Sequence, residues 1–417
     1  MNGKPTVTLF LGDLSAQAVG RWVGGVRSLT IADALSRRGE DVQILGFNPV
    51  PALRDRVEAV PADTWSEYLG QCARRARGDL LFACKLRPAS YLAAVAARRM
   101  RRRPLLLDLD DDEPGLFPPH PPQPTHRRWR NWVRTLGGRR SAPPTIDRSP
   151  ERIARLWAQL RAWRRGSAGP TGITAASSAL ASSHDAIHIP SARDADLFDP
   201  ARHHEAPARG EADARYREVC ARPDRKVVLY PGAARPYKGI EDLIVAVHEL
   251  ERAGLRTTAV GVTVVLAGGS PYDDYTQRLH QLASEHRVEL LELPPRPHHE
   301  MPGVVGCADL VAVPQRDEPV TRAQFPLKLL DAMAMAKPVL ATDVGDIPEI
   351  VGGAVELARP GDPTDLARVL SDLVRHPEQA TAMGGRLRRR FLANYTLDHL
   401  AERLGPVLDE AQRAHAP

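Results

Sequence analysis

The chain has 417 residues, is 43% hydrophobic and 26% charged, and carries a formal net charge of +6. That length predicts two or more domains with sizeable cores. No apolar run approaches the roughly 18 residues that a membrane span needs. The charge is too modest to imply nucleic acid and suits an anionic nucleotide or a membrane surface.

The opening, Met-Asn-Gly-Lys-Pro, runs straight into a predicted strand at Thr6–Leu11, so no secretory signal is expected. Cys72, Cys84, Cys220 and Cys307 are scattered without metal-like spacing, and a reduced cytoplasmic protein is the expectation. A loop through Gly24 and Gly25 leads to a predicted helix at Arg27–Arg38, ended by Gly39, and then a strand at Asp41–Phe47. This strand, glycine loop, helix and strand predict a doubly wound α/β domain, with the glycines permitting close approach to a ligand. A helix at Tyr91–Arg101 and a strand at Pro104–Leu109 follow, and the strand ends in the acidic cluster Asp108, Asp110, Asp111, Asp112 and Glu113. Those carboxylates could hold a divalent cation or form an ordinary loop after the strand; no metal site is assigned.

Residues 114–150 are rich in Pro and Arg and predict an extended insertion, in which His120 and His126 lie. Ile153, Leu156, Trp157 and Leu160 then form an apolar stripe at helical spacing, ringed by arginines including Arg161, Arg164 and Arg165. With Trp129, Trp132 and Trp163 nearby, the region reads either as a basic–aromatic surface for peripheral membrane contact or as a stripe packed on its own domain.

Strands at 173–178 and 186–190 are expected to close a first domain spanning 1–205, followed by a linker at 206–224. A second α/β domain at 225–396 is predicted from strands at 226–231, 262–267, 288–293 and 310–313, alternating with helices at 240–253, 273–286 and 299–306. Helices at 364–375 and 378–393 complete it, and a last segment spans 397–417.

The most informative stretch is Gln324–Val351. Pro326 suits a first helical turn, and Leu327, Leu330, Ala334 and Met335 share one face. Lys337-Pro338 stops the helix, Val339-Leu340-Ala341 is a buried parallel strand, and Gly345 turns the chain into the next helix. Helix N-termini beside such strands suit a diphosphate, and Asp331 sits where its carboxylate could accept hydrogen bonds from ribose hydroxyls.

The segment Asp331-Ala332-Met333-Ala334-Met335-Ala336-Lys337-Pro338-Val339, with Gly345-Asp346-Ile347-Pro348-Glu349-Ile350-Val351, resembles the donor-binding signature of retaining glycosyltransferases of family 4. Tyr230-Pro231-Gly232-Ala233-Ala234-Arg235-Pro236-Tyr237-Lys238-Gly239 is similar to the glycine turn and Lys-Gly pair that the family sets against the donor pyrophosphate. The resemblance covers nearly the whole chain and is strongest in 227–351. It implies a GT-B architecture: two Rossmann-like doubly wound domains facing an interdomain cleft, the last segment crossing back to the first domain.

The resemblance also implies a cytoplasmic, retaining, metal-independent transfer of a sugar from a uridine or guanosine diphosphate donor to an acceptor, as a monomer or homodimer, with no cofactor. Lys238, Arg235 and His120 are the residues it implies for catalysis. Gly24, Gly25, Gly232, Lys238, Gly268, Gly269, Phe325, Pro326, Leu327, Lys328 and Asp331 are those implied for donor binding. The chain departs from the pattern at Ala323, where the family has the first of two glutamates, and at Ala233, where it has an arginine. Asp317 and Glu318 lie upstream of the first gap, and Arg235 is two residues beyond the second. A family member that binds nucleotide or a partner without turnover, and a nucleotide-sugar epimerase, are the rival readings.

Overall fold

The computed structural model describes residues 5–14, 25–47, 49–116, 142–163, 169–203, 210–252, 261–268 and 274–414. Gly24, His120, His126, Trp129, Trp132, Gly269, Arg164 and Arg165 lie outside the described residues, as do the side chains of Arg161 and Trp163.

The chain divides into two compact units, 1–191 with 397–417, and 192–396. Among the described residues, the first has seven parallel strands and the second five; those of the first are β1 (Thr6–Asp13), β2 (Asp41–Phe47), β3 (Glu58–Ala59), β4 (Leu80–Cys84), β5 (Leu105–Leu109), β6 (Gly172–Ala175) and β7 (Ile187–His188), in the order β3-β2-β1-β4-β5-β6-β7. Those of the second are β8 (Arg225–Pro231), β9 (Gly261–Ala267), β10 (Glu289–Leu293), β11 (Leu310–Val313) and β12 (Val339–Ala341), in the order β10-β9-β8-β11-β12. Every pairing is parallel. Parallel sheets need cover on both faces, and β4, β5, β9 and β11 are buried along their whole length, as their apolar runs require.

In each sheet the chain builds outward in one direction and then reverses, at β1/β4 in the first unit and at β8/β11 in the second. Ligands of doubly wound folds bind beyond the carboxyl ends of the strands at such switch points. The residues just after β4, β5, β8 and β9 therefore matter most.

The helix Gly210–Cys220 falls where a linker was expected, at 206–224, and lies inside the second unit; Tyr216 on it is fully buried and donates to the Val304 carbonyl at 2.8 Å. The first unit ends earlier than the expected boundary near 205, at Ser191. The closing helix Leu397–Arg413 returns to the first unit and packs on the helix Gly25–Arg38. A Cβ built on Gly405 would stand 2.2 Å from Arg38 Nη1, so a larger residue there would displace that guanidinium. The Ile153–Leu160 stripe lies on the helix Pro150–Trp163 and is buried, with Trp157 edge-on to His184 at 5.0 Å between ring centroids. That stripe packs on its own unit, which removes it from any membrane-facing surface. No helix among the described residues is long and apolar enough to cross a membrane.

Candidate functional site

The second unit's switch point is built from glycines and lysines. Strand β8 ends in Tyr230-Pro231-Gly232, and Gly232 has a φ of +135°, which glycine reaches most easily. Its amide donates to the Ala267 carbonyl at 2.7 Å, and the Gly268 amide donates to Leu293 at 3.0 Å. A Cβ on Gly268 would lie 3.2 Å from the Gly232 carbonyl carbon, so the two glycines let the ends of β8 and β9 pass closely.

After a short turn at Pro236–Lys238, Gly239 takes a φ of +70°, and a Cβ there would stand 1.8 Å from the Pro314 carbonyl oxygen. Only glycine fits, and the turn it permits sets Lys238 in place. Lys238 Nζ donates to Gln324 Oε1, and its ammonium stands 5.2 Å from the centre of the Tyr237 ring.

The signature helix runs Leu327–Ala334; Pro326 immediately precedes it rather than filling its first turn. Phe325 and Pro326 are buried, and the Leu327 amide donates to the Phe325 carbonyl at 2.9 Å. From the first turn of this helix Lys328 reaches over β8. Its Nζ donates to Tyr230 Oη at 2.5 Å and lies 3.8 Å from the ring centre. A Cβ on Gly232 would be 3.5 Å from that same Nζ. Burial pushes the Lys328 ammonium well below its ordinary pKa, and the charge of Lys238 adds to the effect; Asp331 opposes it. Glycine turns, Lys238 and Lys328 thus meet at the carboxyl end of β8.

Asp331 is not an open acceptor. It is buried, and its Oδ1 receives a hydrogen bond from Arg193 Nε. Arg193 is itself buried, and its amide donates to the Tyr395 carbonyl at 3.0 Å. Any ribose contact at Asp331 therefore shares that carboxylate with a guanidinium.

The candidates for filling the two gaps are engaged elsewhere. Asp317 is exposed and pairs with Arg322 through contacts of 2.5 and 2.6 Å, while Glu318 caps the short helix Pro319–Arg322. Ala323 is buried. Arg235 Nη1 donates to the Ala234 carbonyl at 2.8 Å, and its charge registers at Tyr230. Tyr230, Arg193 and Gln324 were not singled out from sequence. Tyr230 reads there as one more apolar residue of a buried strand, and Arg193 lies 138 positions from its partner.

The carboxyl ends in the first unit carry a different chemistry. Arg27, on the helix that Gly25 begins, is buried and grips Asp108 with two hydrogen bonds of 2.8 Å; it also donates to Ser191 Oγ and the Ile189 carbonyl at 2.9 Å. Lys85 follows β4 with a φ of +76° and lies 3.3 Å from Asp110, 2.7 Å from Asp111 and 3.8 Å from Glu113. Arg87 binds Glu113 at 2.6 Å. The acidic cluster thus closes on cations of the protein itself, and among the described residues no group of three or more His, Cys, Asp or Glu side chains could hold a metal ion. Burial pushes the Asp110 carboxyl up to about 7, against the pull of Lys85 and with the repulsion of Asp111.

Residues 225–376 match the family model described as Glycosyl transferases group 1. A D-inositol 3-phosphate glycosyltransferase of Corynebacterium jeikeium is 35% identical over 203 residues, 47% of this chain and 45% of that protein. An alpha-maltose-1-phosphate synthase of Mycolicibacterium smegmatis is 28% identical over 192 residues, 43% of this chain and 46% of that protein. The chain thus matches about half the length of such curated relatives. Among solved structures, Anabaena Alr3699/HepE in complex with UDP-glucose superposes with a TM-score of 0.68 at 17% identity, covering 97% of this chain and 99% of that one. A glycosyltransferase from Rickettsia africae does so with a TM-score of 0.66 at 14% identity, over 99% of both chains. These likenesses concern the fold, and the matched residues hold Gly232, Lys238, Lys328 and Asp331 together. Residues 225–376 are thus similar to glycosyl transferases group 1, in a chain with the GT-B fold of two Rossmann-like units.

Proposed function

We propose that the protein is a cytoplasmic retaining glycosyltransferase that moves a sugar from a uridine or guanosine diphosphate donor to an acceptor, without metal or cofactor. The observation that carries this reading is Lys328 against the Gly232 turn at the β8/β11 switch point, with Lys238 close enough for its charge to act on Lys328. A diphosphate needs positive charge and close backbone, and both are present. Lys238 offsets the charge that develops on the leaving diphosphate. Asp331, oriented by Arg193, accepts from the ribose. The departing phosphate oxygen takes the acceptor proton, so no protein nucleophile is required.

Structures of similar fold bound to UDP and UDP-glucose support a uridine donor, and the names of the relatives make D-inositol 3-phosphate a first acceptor to try. The buried Ala323, in place of a carboxylate, favours binding without turnover as the second reading. A thermal-shift panel of nucleoside diphosphates tests the site: ligand at 100 times its Kd adds about 2.7 kcal/mol. Release of nucleoside diphosphate from UDP-glucose or GDP-mannose, with and without acceptors, then separates the readings. Release that requires acceptor supports transfer. Stabilisation without release under any condition supports the second reading, and conversion of donor alone would mean an epimerase.

A further inference from the structure

Lys328 is held in an unusual way. Its ammonium rests on the face of Tyr230 and against that residue's hydroxyl. Among the described residues no carboxylate lies within ion-pair distance of it. The nearest acid on its own helix, Asp331, is drawn off by Arg193. The neighbouring turn contributes Lys238, a like charge. Nor can strand β8 supply an anion, because burial keeps the Tyr230 hydroxyl well above its ordinary pKa and therefore neutral. Lys328 is half-buried, so its charge bears part of the cost of desolvation without a counter-ion. Its ring contact offsets part of that cost, and the nearby Lys238 adds to it.

We propose that Lys328 stands in the free site as the neutral amine and takes a proton from solvent when the donor diphosphate binds, so that donor binding carries net proton uptake. The inference rests on the donor-site reading above and deepens it. The groups facing Lys328 are Tyr230 on β8, Lys238 on the turn after it, and Asp331 with its partner Arg193; none supplies an unshared negative charge. A diphosphate laid against Gly232 supplies the missing one. The lowered affinity of the free amine for its proton agrees with this geometry. Linkage fixes the sign: the group binds protons more tightly in the complex than in the free protein. Affinity for the donor is therefore flat at low pH and falls by up to about tenfold per pH unit between the two pKa values.

The test is titration calorimetry with UDP-glucose and GDP-mannose, whose diphosphates are esterified at both ends and do not titrate near neutrality. Heats measured at about pH 8 in buffers of small and large ionisation enthalpy yield the protons exchanged. The wild-type protein should take up a measurable fraction of a proton, at most one. Lys328→Arg, charged at every accessible pH, should bind with no uptake, and Lys328→Met should show none if it still binds. Equal heats in the two buffers for wild type, or unchanged uptake in Lys328→Arg, overturn the proposal while leaving the donor site standing. If neither sugar nucleotide binds at millimolar concentration, the donor-site reading fails and this inference fails with it.

Discussion

The two units place opposite chemistries at equivalent places. Both are parallel sheets whose chain reverses beside the first strand, and both set their charged residues just past the strand ends. In the first unit those residues are Asp108, Asp110, Asp111 and Glu113, matched against Arg27, Lys85 and Arg87 and almost wholly buried. In the second they are Lys238 and Lys328 beside glycine turns, with Asp331 nearby held by Arg193. One end is nearly balanced by its own ion pairs and acts first as structure. The other brings two lysines to glycine turns, the arrangement on which the proposed donor site rests. Fold alone therefore does not decide which carboxyl end suits a phosphate; the side chains at the switch point do.

The largest effect should come from breaking the balanced end. Arg27→Met leaves Asp108 buried with Thr174 as its remaining side-chain donor, at 2.7 Å. Removing one partner of a buried pair typically costs about 3–5 kcal/mol. Urea unfolding should show a loss of that order, and a loss under 1 kcal/mol would mean the pair is not structural. Next comes the lysine-bearing end, where Lys238→Ala should lower turnover about 100-fold, near 2.7 kcal/mol of transition-state stabilisation. Its melting temperature without ligand should hardly move. Similar losses of stability in both variants would erase the contrast between the units.

A smaller effect sharpens the acidic end. Asp110 is held at about 7 in the folded protein against an ordinary value of 3.8. Its folded-state pKa is raised, so the native state binds more protons than the unfolded chain between those values. Stability then falls as pH rises from about 4 to about 7 and is level above. Asp110→Asn removes that dependence, so its stability relative to wild type should improve as pH rises through the window. Unfolding curves at pH 5 and pH 8 suffice, and a difference that does not change with pH would show that Asp110 is already ionised throughout.

Local pattern carried most of the fold. The strands at Asp41–Phe47 and Leu310–Val313 stand where their apolar runs put them, and the helices around 240–252 and 363–375 fall within a residue or two of their periodicity. The helix Gly210–Cys220 was hidden because Ala, Arg, Glu and Asp read as linker; its burial rests mainly on Tyr216 and Val219, too few for a periodic stripe. At the site, the glycines and Lys238 were legible because turn geometry and spacing are local. The use of Arg193 on Asp331, and of Lys85 among three acids, was not, because each joins residues far apart in the sequence.

Backbone strain offers the finest test of the contrast, because each unit holds a non-glycine residue at positive φ, Lys85 within the acidic cluster and Ala336 at the end of the signature helix away from Lys328. Ala336 has a φ of +53° at the end of the signature helix, where Lys337 N–H donates to Ala332 and Ala336 N–H to Met333. That is the paired bonding of a Schellman cap, whose left-handed position favours glycine. Alanine bears a steric cost there of about 1 kcal/mol, while glycine loses more freedom on folding. Ala336→Gly should accordingly stabilise the protein by about 0.5–1 kcal/mol. Lys85, at φ +76°, should respond the other way, because its ammonium anchors Asp110 and Asp111 and Lys85→Gly would strand both carboxylates. Urea unfolding of the two variants should move in opposite directions. A gain in both would mean that the acidic cluster does not depend on its lysine, and the first unit's carboxyl end would no longer stand as structure.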